Sequence, residues 1–277
     1  MLTTSLDGLW VLQVLSGIEV LAPELGLRPH LPSAESPQTA LMHAVTGELR
    51  AAGAIDSTGA VDQTILEWLT VLSRRDVALM IHAQTPPAGG DPERVLLARF
   101  AQWWVSLERN GSQVRLSGVG TASNEQSAGR LINVEIDRLC GRMPAAVMKP
   151  LAIEVDELIR VVRRTGDVRP FLIDRRFDAE QIALLALAAD TRRSAQAAVV
   201  AIQAGAHGDP AGRHVGTGTV TIIDTPQGRL LSEHVTRGGK SWMIVGPGSP
   251  GNLATAVLTM MRNLPARHGW FSYRKAV

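Results

Sequence analysis

The run IVGPGSPGNLATAV, Ile244 to Val257, passes from a strand-like apolar stretch into an apolar stretch with helical spacing. Gly246, Gly248 and Gly251 match the G-x-G-x-x-G of a dinucleotide loop, and the fold turns on whether the match is chemical or structural. A dinucleotide loop opens a parallel strand–helix–strand unit and needs an acidic residue about 20 positions later. Only 26 residues follow Gly251, and none is Asp or Glu. Pro250 removes an N–H that a phosphate cradle would use. The structural reading accounts for every residue: the chain leaves a strand, Ser249 caps a helix, and Pro250 is its first helical residue. Ser36-Pro37 repeats the device. Neither a GK[ST] loop nor a nucleophile elbow fits, since Pro247 stands where the elbow needs its first glycine.

Working back from this loop, strands are predicted at about 194–204, 215–224, 229–236 and 241–246, with a type I turn at Thr225–Gly228. Strands joined by such short turns pair antiparallel, because a parallel pair needs a long crossover. In the first part of the chain, Arg94 to Val119 reads as a hairpin. Ala101, Trp103, Val105 and Leu107 alternate, Asn110-Gly111 is the favoured turn, and Leu107 is expected opposite Val114. A strand is expected at 6–15 and another over Asp76–Gln84, with TPPAGGDP (85–92) as a loop. Helices are expected at about 36–52, at 62–74, and to about 140 from a Ser123/Gln126 capping box. Further helices are expected at 154–164, within VRPFLIDRRF (168–177), after an Asp178/Gln181 box, and at 250–263.

The element order repeats. ILEWLTVLSRRDVALMI (65–81) lies beside IALLALAADTRRSAQAAVVAI (182–202), each a helix, an Arg-Arg pair and a strand. The expected class is α+β: one domain over 1–277, built as a pseudo-twofold pair of halves, 1–146 and 147–277. A mainly antiparallel central sheet is flanked by helical bundles.

Composition narrows function. Hydrophobic residues are 45% and charged residues 19%, as in a globular chain without a membrane-length apolar run. The start lacks a signal-peptide pattern, so a cytoplasmic protein is expected. The single cysteine, Cys140, excludes an internal disulfide and a four-cysteine zinc site, and reads as a small core residue. Of 28 basic residues three are lysine, leaving 25 arginines; acids are interspersed and aromatics are 4%, against a nucleic-acid surface. The histidines show no metalloprotease spacing, and His207-Gly-Asp209 with His214 is the nearest approach to a metal cluster. No acid–base pair declares itself, so no catalytic residue, metal or cofactor is expected.

Five stretches together carry a resemblance: DGLWVLQ (7–13), PELGLRPHLP (23–32), WLTVLSRRD (68–76), RFAQWWVSLERNG (99–111) and GPGSPGNL through NLP (246–265). In this order they resemble the EspG family, the ESX (type VII) secretion-associated chaperones of mycobacteria and their relatives. The first segment and the WWVSLERNG hairpin look most like the paralogue of the second ESX locus. The resemblance implies a cytosolic, non-enzymatic protein that binds the tip of the PPE helical hairpin in a PE–PPE heterodimer. It would keep that apolar tip soluble and direct the cargo to its own secretion machine. It points to the C-terminal half for contact: Phe171, Leu172, Arg175, Arg176 and Phe177, and the strand face Arg229, Leu231, Glu233 and Val235. Two other readings stay open: a protein that self-associates through the Trp104 face, including a homodimer when free, and a nucleotide-dependent enzyme using Gly246–Gly251. The capping reading predicts that Ser249→Ala lowers stability by about 1 kcal/mol in urea melts. It also predicts that millimolar ATP or NAD leaves Tm unchanged, whereas a native nucleotide site would raise it.

Overall fold

The computed structural model describes residues 1–86, 92–205 and 212–274. The first half begins with β1 (Leu2–Ser5), α1 (Leu6–Leu15), α2 (Pro37–Leu41), α3 (Thr46–Ala51) and α4 (Gln63–Arg74). It continues through β2 (Val77–Gln84), β3 (Glu93–Phe100), β4 (Trp103–Asn110), β5 (Gln113–Thr121) and α5 (Glu125–Cys140). The second half holds β6 (Leu151–Glu154), α6 (Val155–Thr165), α7 (Arg169–Asp174), α8 (Ala179–Ala189) and β7 (Ala195–Ala204). It ends with β8 (Arg213–Thr225), β9 (Gly228–Arg237), β10 (Lys240–Pro247) and α9 (Pro250–Arg262). The described strands form one sheet in the order β1-β5-β4-β3-β2-β7-β8-β9-β10-β6, every neighbouring pair antiparallel. Read outward from the β2–β7 junction, the two sides of the sheet have the same order, and Ile81 faces Val199 near its middle.

Strand alternation sorts the side chains into layers. Val77, Leu79 and Ile81 of β2 and Ala197, Val199 and Ala201 of β7 face α5 and α9, with Ile132, Ile136, Val257 and Met260. On the other face α1 to α4 cover Ala78, Met80, Leu96 and Leu107. The bundle α6–α8 covers Ile223, Leu230 and Val245 there. Leu230 and Leu231 therefore enter different cores.

Several local expectations shift. The segment 6–15 is a helix, because Ser5 Oγ accepts from the Gly8 amide at 3.1 Å and caps it, with Asp7 in the first turn. Its apolar residues fit either period, and burial of Leu9, Val11, Leu12 and Val14 hides the helical one. Ala101, with φ of 54°, and Gln102 break the expected long strand into β3 and β4, and the Ala101 amide donates to Asp76 at 3.0 Å. The β4–β5 turn is Gly111-Ser112, so Leu107 faces Leu116 and Arg109 faces Val114. A two-residue slip keeps each side chain on its face, so the apolar match survives. The capping box of α5 is Asn124 with Ser127, and the helix expected at 36–52 divides into α2 and α3. Strand β6, which follows Lys149-Pro150 and pairs with β10, is not among the expected strands.

The Gly246–Gly251 loop follows an antiparallel strand. Ser249 Oγ accepts from the Asn252 amide at 3.2 Å, and Pro250 opens α9. The Gly248 amide donates to the Arg229 carbonyl at 2.8 Å, and a Cβ there would sit 2.4 Å from Arg229 Cγ. The glycine is needed for close packing on Arg229. The Arg229 guanidinium, nearly buried, holds Asp224 at 2.7 and 2.9 Å, Asp137 at 3.1 Å and the Gly141 carbonyl at 2.7 Å. Removing one partner of such a buried pair strands the other charge. Arg229→Ala is expected to lower unfolding free energy by about 3–5 kcal/mol in urea titration, and Ser249→Ala by far less.

Candidate functional site

The residues expected to bind a partner divide between two faces of the sheet. Phe171 and Leu172 are core residues of α7, packed with Leu184, Leu185 and Leu230. Arg229 and Leu231 are also buried, the first in its ion-pair knot and the second against α9. Burial corrects the expectation that these four present themselves to a partner. Arg175 and Arg176 are exposed, and Phe177 is half-buried against the α6–α8 cluster. Glu233 is half-buried and Val235 exposed, but both lie with Leu231 on the α9 side of β9. The arginines of α7 and the outer part of β9 do not form one surface.

The bundle itself presents a different set. Helix α6 is strongly amphipathic, with Asp156 and Glu157 in its first turn, Arg163 and Arg164 in its last, and Gly166 at φ of 72° closing it. Each charge placement complements the helix dipole. Yet no residue of α6 is buried. Leu158 and Val161 lean on the α7–α8 cluster, whereas Val155, Ile159 and Val162 lie outside it. Those three stand four and three residues apart, which puts them in one row along the helix. Ile159 is 40% exposed and Ile173 of α7 is 62% exposed. Arg175 stacks 5.7 Å over the Phe171 ring and pairs with Glu157, tying the end of α7 to the start of α6. The site offers an apolar row with arginines at its border. The sequence contains the Val155–Ile159–Val162 spacing, but helical spacing reports an apolar face and not what covers it.

The remaining electrostatics is structural. Glu108 is buried and bonded to Arg138 at 2.6 Å, and Trp104 on the same strand packs on α5. Trp104 itself is buried and offers no surface to a second copy. Burial pushes the Glu108 carboxyl up, against the pull of Arg138. Cys140 is partly covered, and burial pushes its thiol up to about 11, so it carries no thiolate at neutral pH. No cluster of three His, Cys, Asp or Glu side chains forms among the described residues; His207 and Asp209 lie outside them. Among the described residues no helix is long and apolar enough to cross a membrane.

A model of the EspG family matches residues 5–258. The ESX-2 secretion-associated protein EspG2 of Mycobacterium tuberculosis is 46% identical over the whole of both chains. The ESX-3 secretion-associated protein EspG3 of Mycolicibacterium smegmatis is 31% identical, over 86% of this chain and 78% of that one. Among solved structures, the Mycobacterium tuberculosis type VII secretion system chaperone EspG5, in complex with a PE25-PPE41 dimer, superposes with a TM-score of 0.73. That match has 22% identity and covers 95% of this chain and 96% of that one. The fold is that of this chaperone, and the likeness expected for the second ESX locus holds.

Glu233 gives a test of the geometry. Burial alone raises its carboxyl above the ordinary 4.5, and it has no ion pair among the described residues. Its folded state favours the protonated form, so its cost to stability is absent below about pH 4.5 and grows as pH rises through the folded value. Glu233→Gln is therefore expected to raise Tm at pH 7.5 and to leave it unchanged near pH 4, read by thermal melts across that range.

Proposed function

The chain belongs to the EspG family, and from that premise we propose that it is a cytoplasmic secretion chaperone without enzymatic chemistry. Its cargo would be a PE–PPE heterodimer bound for an ESX (type VII) machine. The observation that carries this reading is the apolar row of α6, Val155–Ile159–Val162, which lies outside the α7–α8 cluster with Ile159 exposed and both valines half-buried; Ile173 of α7 is exposed as well. A helical-hairpin tip with an apolar pair can lay that pair along the row and lose its own exposed surface. Burial of such a side chain is worth about 1.5–3 kcal/mol, which lowers the fraction of cargo available to aggregate. Arg175 and Arg176 stand at the border, where charge tunes partner choice and encounter rate more than affinity. Phe177 packs on the cluster beneath α7 and α8. Glu233 and Val235, on the opposite face, belong to a separate contact if they meet cargo at all.

The test is co-expression with a cognate PE–PPE pair followed by size-exclusion chromatography. The wild-type chain is expected to co-elute as a three-chain complex. Ile159→Asp and Val162→Asp each weaken it by about 30-fold, the loss of roughly 2 kcal/mol expected for a central anchor. Neither is expected to move stability by more than about 0.5 kcal/mol, because both sites lie outside the core. Full complex formation by both variants would refute the assignment of the row.

A further inference from the structure

The first half carries a cleft that the cargo reading does not use. It lies between α4 and the β4–β5 hairpin, has a volume of about 640 Å³, and is walled by Trp68, Val71, Phe100 and Trp103. That volume is in the range of sites for small organic molecules. Three features show how it is built. A β-bulge between Trp104 and Val105 shifts the register against β5, so that Trp104 faces Gly120 and Val105 faces Gly118. The floor is glycine: a Cβ at Gly118 would stand 2.6 Å from Trp68 Nε1, so only a bare backbone lets the indole tuck against the strand. Trp103 is left 52% exposed at the mouth, although its sequence neighbour Trp104 is buried.

The charge of the cleft is one-sided. Its lining contains a single ionisable residue, the exposed Glu67 on α4, and no basic one, in a chain with 28 Lys and Arg. Glu67 Oε1 accepts from the Gln63 side-chain Nε2 at 3.1 Å, and no ion pair to it forms among the described residues. Indole faces attract cations through the ring quadrupole, and tryptophan does so best. Two indoles, a phenyl ring and one carboxylate bonded only to a neutral side chain thus favour an apolar body with a positive group.

We propose that this cleft is a binding site for a small organic cation with a flat apolar body, held between Trp68 and Trp103 with its ammonium toward Glu67. It lies on the first half, apart from the α6 row, and does not depend on the chaperone reading. The probes are a matched pair of one shape and opposite charge, 1-naphthylmethylamine and 1-naphthoate, titrated into the full chain by calorimetry at low salt.

The amine is expected to bind about tenfold more tightly than the acid, the scale of one cation–π contact with one charge pair. Glu67→Gln is expected to remove most of that preference while retaining naphthalene binding. Trp103→Ala, at an exposed side chain, is expected to abolish binding without lowering Tm. Absence of binding by either probe up to 10 mM (about the weakest range calorimetry reads) overturns the proposal and leaves the cleft as a seat for a protein segment. Equal binding of both probes, unchanged by Glu67→Gln, overturns the assigned charge. Amine binding that survives Trp103→Ala overturns the assigned place.

Discussion

The antiparallel ladder between β2 and β7, from Val77 opposite Gln203 to Gln84 opposite Gln196, is the constraint on which the rest of the molecule depends. It is the only ladder among the described strands that joins the two halves. It also fixes which side chains meet across the join. Val77, Leu79 and Ile81 line up with Ala197, Val199 and Ala201, and on them rest α5 from one half and α9 from the other. Gly129 of α5 lies 3.2 Å, at its would-be Cβ, from Leu258 of α9, so the two helices cross closely over the ladder. A one-residue slip would turn every one of these side chains to the wrong face.

The tail reinforces the same junction. Arg99 of β3 is fully buried between the Trp270 and Phe271 rings, at 5.6 and 5.2 Å. It donates to the Phe271 and Tyr273 carbonyls and reaches Asp76, at the head of β2, at 3.4 Å. Burial brings the guanidinium down to about 10, still charged at neutral pH. Tyr273 in turn donates its hydroxyl to the Ala204 carbonyl at the end of β7. Trp270, Phe271 and Tyr273 thus clamp both strands of the central ladder, one from each half.

How much of this was legible in the sequence depended on the kind of signal. Caps and turns were, because their chemistry is local: Ser249-Pro250 and the Asp178/Gln181 box lie where their residue types require. Four of the five strands of the second half, β7 to β10, came from tight turns and alternation and agree closely in extent. The first helix was not legible, since a segment apolar in most positions matches both periods until its neighbours are known. The site was the least legible part. Leu230 and Leu231 look alike in sequence, yet one faces α7 and the other α9, and only the sheet's position between two helical layers separates them. The α6 row was visible as spacing, but its place outside the α7–α8 cluster belongs to tertiary packing and leaves no mark in the sequence.

The function proposed for the chain is to shield an apolar surface of its cargo. The central claim is that the shielding surface is the α6–α7 side of the second half. Hydrogen–deuterium exchange of the chain, free and in complex with a cognate PE–PPE pair, tests it most directly. Helix α6 is exposed in the free chain, so its amides should exchange early and be slowed on binding. The account predicts that new protection concentrates in residues 155–176. Protection confined to the β4–β5 hairpin or to the outer β9–β10 strands, with 155–176 unchanged, would contradict it.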